Sequence, residues 1–149
     1  MEPAFRYILR YTIDPSFHAE ERMDELIKFC VKSTIEEVML FFLAEELSTG
    51  HPTLEEIKPW VAAAKELKTG LDKHGLSLSL NPWCTVYHAP RGRSLRPGQD
   101  FSLMVGETGV QSSVAVCPLC TNWQNYLCEL FAYMVRELHP AALWVEEAR

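Results

Sequence analysis

The sequence predicts an α/β fold of parallel (β/α) units, with four strands and three helices in 149 residues. Three observations predict it. Strand-like and helix-like segments alternate along the whole chain. The second strand-like segment, Glu37–Leu43, is nearly all apolar, as suits a parallel strand covered on both faces. The connections are also asymmetric. Those from helix to strand are short, whereas those from strand to helix grow to roughly thirty-five residues, well past ordinary loops. In a (β/α) barrel the strand-to-helix loops build the active-site face, and the opposite face only holds the fold together.

Taken in order, Arg6–Ile13 is rich in β-branched and aromatic residues, and Asp14-Pro15-Ser16 closes it as the first strand. A helix is expected over Ala19–Ser33, where Met23, Leu26, Ile27, Cys30 and Val31 share one face at helical spacing. Glu20 and Glu21 occupy its first turn, where the helix dipole favours negative charge. After the second strand, Thr53 and Glu56 form a capping box. The helix they start carries the stripe Leu54, Ile57, Val61, Ala64, Leu67 and Leu71, and Gly75 ends it as a left-handed cap. The third strand spans Leu76–Thr85. In the long connection beyond it, Phe101–Val105 and Ser113–Val116 are expected to pair as a hairpin around Gly106–Gly109. A second capping box, Thr121 with Gln124, starts a third helix with a buried face of Trp123, Leu127, Leu130, Phe131, Met134 and Leu138. His139-Pro140 stops it, and Ala141–Val145 leads as a fourth strand into Glu146. No linker or low-complexity stretch divides the chain, so residues 1–149 read as one domain or part of one.

Composition excludes several classes. Hydrophobic residues make up 48% and charged residues 23%, ordinary for a soluble globular protein. The net charge of -6 argues against a nucleic-acid partner, because phosphate binding needs clustered Lys and Arg. The one basic cluster, Arg91, Arg93 and Arg96, lies in a loop punctuated by Pro and Gly. No apolar run reaches the ~20 residues that span a bilayer, so no membrane partner is expected. The N-terminus lacks the basic-then-apolar pattern of a secretion signal. Of five cysteines, Cys30, Cys84 and Cys128 fall among apolar residues and are expected to pack as small hydrophobes. A reduced, cytoplasmic setting follows. No cofactor and no metal site is read from the sequence.

Strand, helix, strand at this spacing demands parallel neighbours joined by right-handed crossovers. Two architectures satisfy that. One is the first four units of an eight-unit barrel, which takes ~250 residues in full. The other is a self-contained, doubly wound four-stranded sheet. Under the first, this chain is the N-terminal half of a (β/α) barrel, ending as its fourth strand presents two carboxylates.

The last third carries a family resemblance. Val116-Cys117-Pro118, then Trp123, Tyr126 and Leu127, then Leu143-Trp144-Val145-Glu146-Glu147-Ala148-Arg149, stand together with the strand end Asn81-Pro82-Trp83. This pattern resembles the N-terminal half of a glycoside-hydrolase-type TIM barrel of the β-galactosidase-like clan. The likeness covers most of the chain in layout but little of it in motif. It departs in the acidic segment, where the families carry aspartates followed by an aromatic residue and Arg. The resemblance implies that a carboxylic acid at the end of strand four, Glu146 or Glu147, protonates the leaving glycosidic oxygen. Adjacent strand residues point to opposite faces, so only one of the two can face the barrel axis. A retaining enzyme needs a second carboxylate about 5 Å away as nucleophile. In the clan it stands on strand seven, outside this sequence, so the chain alone is expected to be inactive. Against a carbohydrate substrate, Trp83 would stack on a sugar ring while Asn81 orients a hydroxyl. His88, Arg91, Asp100 and Glu107 on the long loop, and Glu45, Glu46 and His51 on the preceding one, would line the cleft.

Two other function classes stand beside that one. Cys117-Pro118-Leu119-Cys120 follows a strand and opens a helix, a setting that activates thiols in redox sites. The alternative is a non-catalytic α/β domain for binding or assembly. A half-barrel leaves its edge strands unpaired, so self-association through those edges is expected.

Overall fold

The computed structural model describes residues 5–42, 50–82 and 92–145. Within them the chain forms β1 (Tyr7–Tyr11), α1 (Ala19–Lys32), β2 (Ile35–Phe42), α2 (Leu54–Asp72), β3 (Ser77–Pro82), β4 (Leu103–Val105), β5 (Gln111–Val116) and α3 (Thr121–Leu138). The fold is α/β, with one small parallel sheet and one two-stranded antiparallel sheet.

The helices follow their local signals closely. At the start of α2 both halves of the capping box form: Glu56 N–H donates to Thr53 Oγ1 at 3.3 Å, and Thr53 N–H donates to Glu56 Oε2 at 2.8 Å. Such a cap stabilises a helix by about 1 kcal/mol. The far end closes at Gly75, whose φ of +69° is left-handed, while Leu76 N–H donates to the Leu71 carbonyl at 3.1 Å. Between these caps Ile57, Val61, Ala64, Leu67 and Leu71 are buried. Gly70 has a different role. A β-carbon there would lie 2.5 Å from Ile27 Cδ1, so its absence lets α1 and α2 approach closely.

Four expectations about helices need correction, the first being Leu54 of the α2 stripe, which is 43% exposed in the first turn. On α1 the buried residues are Met23, Leu26 and Cys30, whereas Val31 is 50% exposed. The buried stripe is narrow, and Val31 lies about a quarter turn from its centre. On α3 the N-cap is Cys120, one residue earlier than expected, so Thr121 is already helical and no second capping box forms. Gln124 instead donates from Nε2 to the Pro118 carbonyl at 2.8 Å. Cys128 is exposed on the outer side of α3 rather than packed.

The parallel sheet has the order β1-β2-β3. Leu143 adds a parallel bridge to Leu80 on the open side of β3. Three backbone hydrogen bonds support it: Ala141 N–H to Leu78 O at 2.8 Å, Leu80 N–H to Ala142 O at 3.0 Å, and Trp144 N–H to Leu80 O at 2.7 Å. The expected fourth strand is thus present as one bridge among the described residues. The chain steps across the sheet in a single direction. With right-handed crossovers this order puts every connecting helix on one face, and α2 does pack between α1 and α3.

Register divides the sheet residues cleanly. Leu9, Val38 and Leu78 form one cross-strand row, and Tyr11, Leu40 and Leu80 form the next. Both rows join Ile57, Leu67, Leu71, Leu130, Met134 and Leu138 in the main core. Truncating one such leucine to alanine costs about 2–5 kcal/mol. The alternating residues form the opposite face, in the rows Ile8–Glu37–Ser77, Arg10–Met39–Ser79 and Phe41–Asn81.

The hairpin forms as expected, with β4 and β5 antiparallel around Gly109 at φ +81°. It anchors a second apolar cluster of Val116, Cys120 and Trp123, against which Leu95, Phe101 and Leu103 pack. Among the described residues no helix is long and apolar enough to cross a membrane.

Candidate functional site

The helix-free face of the parallel sheet is the candidate site, because it holds polar groups that the core face lacks. Near the N-terminal ends of the strands, Arg6 donates to Glu37 Oε2 at 2.8 Å and to Ser77 Oγ at 3.3 Å. Glu37 is 3% exposed, and the guanidinium offsets the cost of burying its charge. In the middle row Ser79 Oγ accepts a hydrogen bond from Trp144 Nε1 at 3.2 Å, which draws the segment after α3 onto this face. Arg10 stacks over the Phe41 ring at 4.1 Å, a cation–π contact.

Asn81 stands at the C-terminal end of β3, beside Phe41 in the next strand. It is 4% exposed, and its Oδ1 has no hydrogen-bond partner among the described residues. A buried acceptor without a donor costs about 1–3 kcal/mol. In parallel α/β folds ligands bind at the carboxyl ends of strands. An amide oxygen there, next to an aromatic ring, suits a ligand hydroxyl or N–H.

The expected site residues divide three ways. Asn81 is on this face. Asp100 and Glu107 are described and exposed, and both lie outside the parallel sheet that carries Asn81. Asp100 lines a cleft of about 420 Å³ on the helix side, with Leu54 of α2, Phe101, and Tyr126, Glu129 and Leu130 of α3. Glu107 lies in the hairpin turn. Trp83, His88, Arg91, Glu45, Glu46, Glu146, Glu147 and Cys84 lie outside the described residues.

His51, expected to line a substrate cleft, is instead a fully buried clamp. Its Nε2 donates to the Val114 carbonyl at 2.9 Å, and its ring meets Phe101 and Tyr126 edge-on at 5.6 and 6.1 Å. Burial is the main cause that lowers its pKa. Around it, Tyr126 donates to the Pro52 carbonyl at 2.7 Å and Gln99 Nε2 to the His51 carbonyl at 2.9 Å. Arg96 of the basic cluster is bound to Glu56 in an ion pair. That guanidinium is the first cause holding the Glu56 carboxyl at about 2. These contacts tie the hairpin to the starts of α2 and α3.

Sequence reasoning missed Arg10, Phe41, Ser79 and Trp144 on the candidate face. The signal for Ser79 was present: Ser77, Ser79 and Asn81 alternate with Leu78 and Leu80. Trp144 stood in the quoted ending motif without a partner, and for Arg10 and Phe41 there was no signal, since their pairing depends on strand register. Among the described residues no three His, Cys, Asp or Glu side chains gather as a metal site.

No protein-family model matches the chain, and no curated protein matches it either.

Proposed function

We propose that this chain is the N-terminal half of a (β/α)8 barrel of glycoside-hydrolase type, and that its helix-free face is the barrel interior. The observation that carries the reading is the strand order. A doubly wound sheet reverses direction at a switch point, whereas here β1, β2, β3 and the Leu143 bridge follow one another across the sheet. A sheet that winds one way with its helices on one side is the arrangement that closes into a barrel. On this reading the side chains of Glu37, Ser77, Ser79 and Asn81, which share the helix-free face, point toward the barrel axis.

On this reading the ligand is a carbohydrate. Asn81 accepts a hydrogen bond from a sugar hydroxyl at the strand ends, and Trp83 offers a stacking surface. Glu146 or Glu147 is the proton donor to the glycosidic oxygen. A retaining mechanism needs a nucleophilic carboxylate about 5–5.5 Å away, and an inverting one needs a base about 6.5–9.5 Å away. Strand seven would supply it, so the chain is inactive alone and a cytoplasmic enzyme only when completed. Neither metal nor cofactor is called for.

The test is to read the coding sequence past the codon for Arg149 and assay the product on aryl glycosides. Four further βα units with a carboxylate at the seventh strand end, and activity lost in Glu146→Gln or Glu147→Gln, would support the proposal. A stop codon at that point, with the isolated chain monomeric at high concentration, would replace it with a self-contained binding or assembly domain.

A further inference from the structure

We propose that Cys117 and Cys120 form a thiol–disulfide exchange site, which small or protein disulfides oxidise. It is separate from the helix-free face and does not depend on the barrel reading.

The backbone sets the spacing. The chain leaves β5 at Val116 and turns into α3 through residues 117–120. Cys120 N–H donates to the Cys117 carbonyl at 2.9 Å, which closes a four-residue turn. The end Cα atoms of such a turn lie within about 7 Å. A disulfide bridges Cα atoms about 4.4–6.8 Å apart. The pair can therefore close with the helix in place. The turn is also pinned, by Cys117 N–H to the Ser102 carbonyl at 2.8 Å and by Gln124 Nε2 to the Pro118 carbonyl.

The two sulfurs have different surroundings, and these assign their roles. Cys120 is 8% exposed and packs with Val116 and Trp123. Its Sγ accepts the Ser102 N–H at 3.2 Å. That N–H, followed by those of Trp123 and Asn122 in the first turn of α3, lowers the pKa of the thiol. Cys117 is half-buried and reachable, and the adjoining Leu119 is 84% exposed. Cys117 is thus the entry sulfur and Cys120 the resolving one. The Cys117 thiolate attacks a disulfide RSSR, forming a mixed disulfide and releasing one RS⁻. The Cys120 thiolate then attacks Cys117 Sγ and expels the second RS⁻. Two protein thiols and one RSSR become one protein disulfide and two RSH. Cys30 is an internal contrast, since it is buried and desolvation raises its pKa.

The experiment equilibrates the full chain with oxidised glutathione, quenches in acid, alkylates, and maps the peptides by mass spectrometry. Wild type is expected to yield a Cys117–Cys120 linked peptide lighter by two hydrogens, with Cys30 still reactive after unfolding. Cys120→Ser is expected to accumulate a glutathione adduct on Cys117, about tenfold more than wild type, because nothing resolves it. Serine caps a helix well, so that variant keeps α3. Wild type that stays fully reduced where a reference dithiol is oxidised would overturn the proposal. So would wild type that accumulates as much adduct as Cys120→Ser.

Discussion

Replacing Asn81 by leucine tests the candidate site through stability alone. The side chain is 4% exposed, and its Oδ1 accepts no hydrogen bond among the described residues. If that acceptor is kept for a ligand, the apo protein carries an unsatisfied group costing about 1–3 kcal/mol. Leucine has nearly the same shape and removes the cost. It also gives apolar contacts to Phe41, offset by roughly 1 kcal/mol of repacking. The net expectation is stabilisation by about 1–2 kcal/mol, or a rise in Tm of about 2–8 °C at this size. Urea unfolding followed by circular dichroism reads the first quantity, and a thermal scan the second. Asn81→Asp is the matched control: it keeps the shape but buries a charge, and should lose several kcal/mol at neutral pH. Asn81→Leu that destabilises by more than about 1 kcal/mol would refute the reasoning, because the amide would then be holding the fold together.

Four further outcomes follow from other contacts. The Glu56 carboxyl titrates at about 2 in the folded chain against 4.5 as the ordinary value, so its contribution is complete above pH 4.5 and is lost as pH falls toward 2. Its side chain is 46% exposed, which limits the ion pair with Arg96 to about 0.5–1 kcal/mol; Glu56→Gln should flatten the acid limb of a stability–pH curve by that amount. His51 is buried with a lowered pKa, so the unfolded chain takes up its proton first, and stability should fall as pH drops below the ordinary 6.5. His51→Ala should cost about 2–4 kcal/mol in chemical denaturation, through the lost bond to Val114 and the cavity left among Phe101 and Tyr126. Sedimentation of the isolated chain should show self-association that rises with concentration, because the open sheet exposes Phe5 (73%) and Tyr7 (54%) beside β1.

Much of the architecture was legible because its signals are local. Thr53 and Glu56 lie three residues apart and cap a helix whatever packs on it, and Gly75 supplies the left-handed turn that ends it. The apolar spacing of α2 needed only the helical period. The strands were legible as strands from their composition, and the Gly-containing turn predicted the hairpin. Less of the site was legible. Asn81 was singled out as a strand-end residue, but Asp100 was placed with it from loop membership alone, and the chain instead carries Asp100 to a cleft on the helix side. The N-cap of α3 moved from Thr121 to Cys120, whose Sγ accepts the N–H of Ser102, a contact eighteen residues back in sequence that no local signal announces.

The sequence by itself determined the three helices, the first three strands, the hairpin and where α2 is capped, because a period of 3.6 or 2 and a capping side chain act over a few residues. Only the tertiary structure decided what covers each face. Strand order placed the Leu9–Val38–Leu78 row under the helices and turned Glu37, Ser79 and Asn81 to the opposite side. Register set Arg10 over Phe41, and docking of the hairpin buried His51. Periodicity fixes direction along an element. Burial depends on partners that come from far along the chain.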